Sequence, residues 1–258
     1  MTRVLVIGHG KIALTLIEGI LKAGLHNKYY FEICGREFKK VETFIKFHHL
    51  ESHFHALPPT PPLFIDEAIV FLCTKPQGLE SFVFGGKARA VVSVMAGVSI
   101  AKIQQSIHAI GYARIMPNIA AKYQKSCSAL YCKDLDWESI GDLVQSFGKV
   151  VVVEKEELID ASIAVSGSAP AFLALIAQAL MDAGVREGLA RLQSREFVRG
   201  MFEGFALLLQ QQDPQEIMDL VASPGGTTIE GLSVLESRGV RGAIMEACHQ
   251  AVARAKKL

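Results

Sequence analysis

Net charge is what this sequence has least of. Its 27 Lys and Arg are balanced by 26 Asp and Glu, leaving +1 over 258 residues. So even a balance gives no broad electrostatic footprint for nucleic acid or for an anionic membrane, and neither is expected as a partner. Cysteine is scarce and odd in number: Cys34, Cys73, Cys127, Cys132 and Cys248 are scattered and form no C-x-x-C pair. That argues against a disulfide framework and for a reducing compartment, with each thiol read as a small buried hydrophobe. The N-terminus also lacks a long uninterrupted apolar block. Lys11, Glu18 and Lys22 break up residues 3–22 and no small-residue cleavage site follows, so neither a signal peptide nor a membrane span is expected there. The chain reads as cytoplasmic. It shows no internal repeat or low-complexity segment.

What is present is an ordinary globular composition, half hydrophobic and about a fifth charged, in a chain long enough for one large domain or two smaller ones. Residues 3–7, R-V-L-V-I, suit a buried strand, and helical spacing follows from Ile12 to Ala23 with Gly24 as a stop. Further strands are expected at Phe31–Cys34, near His53–Leu57, at A-I-V-F-L-C-T and at A-V-V-S-V-M, with a polar helix running to Phe47. R-I-M, S-A-L-Y and V-V-V-V-E are three more short candidates, ending near Glu154. Strands alternating with helices imply an α/β fold with a parallel, doubly wound sheet covered on both faces. From Glu156 onward only helical spacing remains. A boundary is therefore expected near residue 155, with a Rossmann-type nucleotide-binding domain over 1–155 and an all-α domain over 156–258. Helices so apolar in about a hundred residues are expected to bury a face against a second subunit.

Two loops point to chemistry. Gly8-His9-Gly10-Lys11-Ile12-Ala13 is G-x-G-x-x-A, set between the first strand and the first helix. The first glycine permits the tight turn, the second lets a pyrophosphate approach the backbone, and Ala13 allows close helix packing with the helix N-terminus facing the anion. After the second strand the chain reads Cys34-Gly35-Arg36-Glu37. Arg36 can pair with a 2′-phosphate and stack on adenine, which favours NADPH, whereas a shift of one residue would put Glu37 there and favour NADH. The second loop is Ala222-Ser-Pro-Gly-Gly-Thr-Thr-Ile-Glu-Gly231, an exposed hydroxyl-rich turn inside the helical half. Unpaired backbone amides around Gly225, Gly226 and Thr227, leading into a new helix, could hold a small carboxylate without a cationic side chain. A plain helix–helix turn with Thr227 or Thr228 as N-cap would read alike.

Taken together the chain resembles the pyrroline-5-carboxylate reductase family over nearly its whole length. The blocks carrying the resemblance are the G-x-G-x-x-A loop, Thr74-Lys75-Pro76-Gln77, Ala96-Gly97-Val98-Ser99 and Arg114-x-Met116-Pro117-Asn118. Then come Ser166-Gly167-Ser168-Ala169-Pro170-Ala171, Asp182-Ala183-Gly184-Val185, Gly188-Leu189, Ser223-Pro224-Gly225-Gly226-Thr227-Thr228 and Leu235-Glu236. The resemblance implies reduction of a cyclic imino acid to L-proline with NADPH or NADH, and a Rossmann domain followed by a helical dimerisation domain. Its assemblies are dimers or larger rings of dimers. It also implies that Thr227 and Thr228 line the substrate site with the Thr228 hydroxyl near the ring nitrogen, and that Glu156 lies near the substrate, although Glu156 reads equally well as a first-turn carboxylate answering the dipole of its own helix. Thr74, Lys75, Pro76, Ala96 and Gly97 would then lie beside the nicotinamide half of the cofactor. Three departures stand out: the family usually has glycine at Ala169, tyrosine at Phe172 and glutamate at Gln178. They keep two alternatives open, a related imino- or keto-acid dehydrogenase and a dinucleotide-binding regulator with weak turnover. A metal is not expected. His48, His49, His53 and His55 crowd together, but no carboxylate or cysteine completes a ligand set, and solvated or loop histidines are the better reading. Trp137 after Asp134-Leu135-Asp136 reads as a helix start with its packing anchor.

Overall fold

The structure, a computed structural model, describes residues 1–257. It divides into two compact units, Met1–Ser168 together with the chain end from Gln250, and Ala169–His249.

The first unit is built on a sheet of eight strands. In chain order the elements are β1 (Thr2–Ile7), α1 (Lys11–Lys22), β2 (Tyr29–Cys34), α2 (Phe38–Phe47), β3 (Phe54–Leu57), β4 (Leu63–Phe64), β5 (Ile69–Leu72), β6 (Phe84–Gly85), β7 (Ala88–Ser93), α3 (Ile100–Gln104), β8 (Ala109–Met116), β9 (Ser126–Lys133), α4 (Gly141–Gln145), β10 (Gly148–Val152) and α5 (Glu157–Ala161). The sheet order is β10-β9-β8-β7-β5-β1-β2-β3, while β4 and β6 form a separate small ribbon. The chain thus starts in the middle of the sheet and winds outward in both directions, so the C-terminal ends of β1, β2 and β5 open on one edge where a ligand can lie.

Side-chain alternation along β1 shows how the sequence fills both faces. Val4 and Val6 pack with Phe31, Ile33 and Phe71 under α1 and α2, whereas Leu5 and Ile7 pack with Val70, Leu72 and Val91 on the side of α3. All of these are essentially inaccessible to water. A period of two over a run that is apolar on both faces is what a central parallel strand requires. Helix α1 places Ala13, Leu16, Ile17 and Ile20 on the sheet, at helical spacing. Each such buried aliphatic side chain contributes about 1.5–3 kcal/mol, which makes this face the anchor of the nucleotide loop at its head. Gly24 stops the helix in a left-handed conformation at φ 70°. The expected turn at Asp136 is also present: its carboxylate accepts from the Glu138 amide at 3.1 Å, and Trp137 packs on the core.

One pairing departs from the parallel pattern. β9 runs antiparallel to β8, in register Ile115↔Leu130, and β10 then runs parallel to β9. The link from Met116 to Ser126 holds only a short 3-10 turn at Ile119–Tyr123, too short for the crossover of about a dozen residues that a parallel strand needs. α5 and the π-helical turn Ile163–Gly167 contribute Ile159 and Ile163 to a third cluster with Met116 and Ala129. Compactness therefore divides the chain at Ser168, although the sequence pattern changes near residue 155.

The second unit holds α6 (Ala169–Arg186), α7 (Arg191–Leu208), α8 (Pro214–Val221), α9 (Thr227–Ser237) and the start of α10 (Val240–Ala255). α6 and α7 pack through buried Ser194, whose hydroxyl donates to the Met181 carbonyl at 2.7 Å. Few side chains of this unit are buried, and Leu175 (72%), Phe197 (67%) and Leu207 (63%) stand largely in the open. Residues 157–186 are long and apolar enough to cross a bilayer by length and composition alone, with 11% of an 18-residue apolar window within them buried in a single copy.

Candidate active site

The nucleotide loop is made by β1 handing over to α1. Gly8 donates its amide to the Cys34 carbonyl at 2.7 Å and adopts φ 114°, and a Cβ there would sit 2.7 Å from the Cys73 carbonyl oxygen. Only glycine fits a turn this tight. Gly10 is the N-cap of α1 with an ordinary extended backbone; no side chain caps the helix, its first turn holds no acidic residue, and a Cβ at Gly10 would meet open space. Free amides at the positive end of α1 therefore face a space kept clear of protein, as an anion needs.

That space is a cavity of about 340 Å³ lined by Gly8, His9, Gly10, Gly35, Arg36, Cys73, Thr74, Lys75, Gln77, Gly78 and Phe82. Six of the residues expected at the cofactor, Gly8, His9, Gly10, Arg36, Thr74 and Lys75, are thus brought together from three strand ends. Lys11 is exposed at the head of α1, Ile12 packs against the core beside it, and Pro76 opens the 3-10 turn after Lys75. Arg36 lines the cavity and Glu37 does not; the Glu37 carboxylate is held by Lys40 at 2.5 Å. The residue presented at the end of β2 is a cation. His9 lays its ring over the bare α-carbon of Gly35 and edge-on to Phe44, with centroids 5.9 Å apart. Burial, then Lys40, holds its pKa below the usual histidine value, which disfavours the charged imidazolium there. Burial likewise pushes the Cys73 thiol up to about 12 and those of Cys34 and Cys132 to about 11, which makes them packing groups and not nucleophiles.

Ala96 and Gly97 form the turn after β7, with Gly97 at φ 71°. The Gly97 amide donates to Asp160 Oδ1 at 3.1 Å, and Glu156 Oε1 accepts from the Ile100 amide at 2.7 Å. Both carboxylates also meet Arg114, at 2.7 Å for Asp160 and 3.3 Å for Glu156. Glu156 is thus committed to the first turn of α3 and to a buried guanidinium, whereas the sequence offered only its own helix terminus or the substrate. Asp160 and the role of Arg114 were missed from sequence. The signal was there: a charged residue inside the apolar strand A-R-I-M must find its counter-charge elsewhere in the fold.

The glycine–threonine loop lies in the helical unit. Gly225 takes φ 67°, Gly226 is the N-cap of α9, and Thr227 and Thr228 are its first two residues, exposed and half-buried respectively. Neither threonine caps the helix, and no side chain does. The Gly226 amide is not unpaired, since it donates to the Ser223 carbonyl at 3.0 Å. An anion at this terminus would be met by the remaining amides of the first turn. Of the departures, Gln178 donates to both oxygens of Asp182 at 3.0 Å, and Asp182 also takes Arg191 at 2.6 Å. A glutamate in its place would set two carboxylates one turn apart, so the amide is a local adjustment to Asp182. The histidine cluster disperses: His48 packs on Phe44 and Phe47, His53 on His26, and His55 on Tyr30.

Comparison with known proteins agrees with both halves of this architecture. Residues 156–258 match the model for pyrroline-5-carboxylate reductase dimerisation, which includes the whole of the apolar stretch 157–186. The chain is 41% identical over 249 residues to a pyrroline-5-carboxylate reductase of Helicobacter pylori, covering 95% of this chain and 96% of that one. It is 32% identical to one of Corynebacterium melassecola, covering 100% and 99%. Among solved structures, 1-pyrroline-5-carboxylate reductase of Streptococcus pyogenes superposes with a TM-score of 0.84 at 26% identity, over 99% of this chain and 98% of that one. A Plasmodium falciparum pyrroline carboxylate reductase with NADP bound shares the fold at TM-score 0.78 and 22% identity, over 99% and 98%. With an uncapped nucleotide loop on the sheet, an apolar dimerisation region after it, and relatives of this identity along nearly its full length, the chain belongs to the pyrroline-5-carboxylate reductase family.

Proposed function

We propose that the chain reduces 1-pyrroline-5-carboxylate to L-proline with NADPH, as a homodimer in the cytoplasm. One observation carries the cofactor half of this reading: the strand ends converge on a cavity that Gly10 leaves open, that α1 faces with uncapped amides, and that Arg36 enters as a cation. The residues present fit a dinucleotide with a 2′-phosphate. Bound there, the reduced nicotinamide supplies a hydride to the imine carbon. Gly8, His9, Gly10, Lys11 and Ile12 hold the pyrophosphate side, Arg36 the 2′-phosphate, and Thr74, Lys75, Pro76, Ala96 and Gly97 the nicotinamide side. Of the Gly225-Gly226-Thr227 loop, the amides left unpaired at the head of α9 take the substrate carboxylate, with Glu156 near the substrate. The Thr228 hydroxyl supports the ring nitrogen as it goes from iminium to amine. A protonated imine is already electrophilic, so the protein's main task is alignment. Dimers are the unit of assembly, and a ring of dimers is the larger form this reading allows.

The direct test is turnover: purified protein with the cyclic imine and NADPH, followed by absorbance of the reduced nicotinamide. No rate above background would favour the regulator reading, and a rate only with other imines would favour a related dehydrogenase. Replacing Arg36 by alanine removes a charge-assisted contact of about 1.5–3 kcal/mol, so Kd for NADPH rises about ten- to hundredfold while that for NADH stays within about twofold. Equal losses for the two cofactors would take Arg36 away from the 2′-phosphate. Thr228→Ala lowers kcat by about tenfold or more through loss of one hydrogen bond to a charged group, with Kd for NADPH unchanged. A matched loss in both would count against its place at the substrate.

A further inference from the structure

Arg114 is among the largest fully enclosed side chains in the molecule, 2% exposed within strand β8. A guanidinium keeps its proton, so in such a place it needs both counter-charge and acceptors for its fork. The first turn of α5 and the residue before it supply them. Nη2 meets Asp160 Oδ1 at 2.7 Å, and Nη1 meets Asp160 Oδ2 and Glu156 Oε1, each at 3.3 Å. Nη2 also approaches the Met95 carbonyl at 3.5 Å. Each carboxylate has a second task. Asp160 Oδ1 accepts the Gly97 amide, and Glu156 Oε1 accepts the Ile100 amide. One buried cation and two carboxylates therefore fasten both ends of the segment 97–100. The cap supplied locally, Ser99 to the Lys102 amide at 3.3 Å, fixes α3 but not the turn before it.

We propose that Asp160, backed by Arg114 and assisted by Glu156, is a positioning residue for the Ala96–Gly97 turn, holding that backbone at the one depth in the cleft that lets the nicotinamide ring sit for hydride transfer. The inference rests on reading Ala96 and Gly97 as nicotinamide contacts. Asparagine at 160 keeps the shape of the side chain but has one acceptor oxygen and turns an N–H₂ toward either Arg114 or Gly97. The turn is then released on one side while the core around it stays packed. A displacement of the order of 1 Å between reacting centres can cost about a hundredfold in rate, so a small slackening here is read directly in turnover.

The test compares Asp160→Asn, Arg114→Lys and Ala96→Val, the last placed in the turn itself. It uses kcat, Kd for NADPH, Kd for adenosine 2′,5′-bisphosphate, which lacks the nicotinamide, and hydrogen exchange of the segment 95–100. Asp160→Asn is expected to lower kcat about tenfold or more and speed exchange of that segment. Affinity for the bisphosphate should stay within about twofold, since its site is remote from the turn. Arg114→Lys, which keeps the charge but not the fork, gives the same pattern and serves where Asp160→Asn does not fold. If Ala96→Val lowers kcat while both latch variants behave as wild type, or lose affinity for bisphosphate and whole cofactor alike, the proposal is overturned and the nicotinamide reading survives. If Ala96→Val has no effect on kcat or on NADPH binding, that reading fails and the positioning role goes with it.

Discussion

Gly10→Ala should leave the protein folded but weaken its hold on the cofactor, whereas Gly8→Ala should destabilise the fold itself. The two glycines are separated only by His9 in the same loop, so the contrast is a sharp one. At Gly8 an added methyl group lies 2.7 Å from the Cys73 carbonyl, and φ is 114°. Strain of this backbone region and the overlap together cost about 3 kcal/mol or more. In a chain of this size that lowers Tm by about 6–12 °C. At Gly10 φ is −86° and ψ −176°, which alanine adopts freely, and the methyl meets nothing in the protein. Stability is then unchanged or higher by about 0.4–1 kcal/mol, because alanine restricts the unfolded chain. The methyl does stand where a pyrophosphate would come to the α1 amides. Loss of two charge-assisted hydrogen bonds of about 1.5 kcal/mol each corresponds to about a hundredfold weaker NADPH binding. Thermal melting with and without NADPH checks both variants. A Gly10→Ala protein that binds NADPH as wild type would remove the loop from the cofactor site.

The second large effect is on assembly. Leu175→Asp combined with Phe197→Asp should turn the dimer into a monomer. Both side chains are mostly exposed in a single copy, and both lie in the region that matches the family's dimerisation domain. Burying side chains of this size contributes about 1.5–3 kcal/mol each, and symmetry counts every position twice. Carboxylates at those sites would also have to lose their water on association, at several kcal/mol per ion. Sedimentation at micromolar concentration reads the outcome. NADPH binding should survive, because the residues lining its cavity all belong to the sheet unit. A double variant that stays dimeric would move the interface to another face of the helical unit. Burial of that kind would also give the apolar stretch 157–186 of this chain a place other than a membrane.

Much of this molecule is legible in its sequence. The period of two in R-V-L-V-I, the helical spacing from Ile12 and the glycine stop at Gly24 are local signals, set by backbone sterics and by which faces must be buried. The glycine loop between them follows from the same local rules, as does the helix that begins at Thr227. What the sequence left open were choices between neighbours and between distant partners. It is Arg36 that faces the cavity, while Glu37 turns to Lys40. The antiparallel β9 depends on the length of a link more than on any strand pattern. Arg114 finds its acceptors 42 and 46 residues along the chain. No periodicity carries information across such a distance. The sequence alone determined the main strands and helices, the two glycine loops and the family. Only the tertiary structure decided which charges meet, because a buried guanidinium takes its partners from whatever the topology brings within about 3 Å, not from its neighbours in the chain.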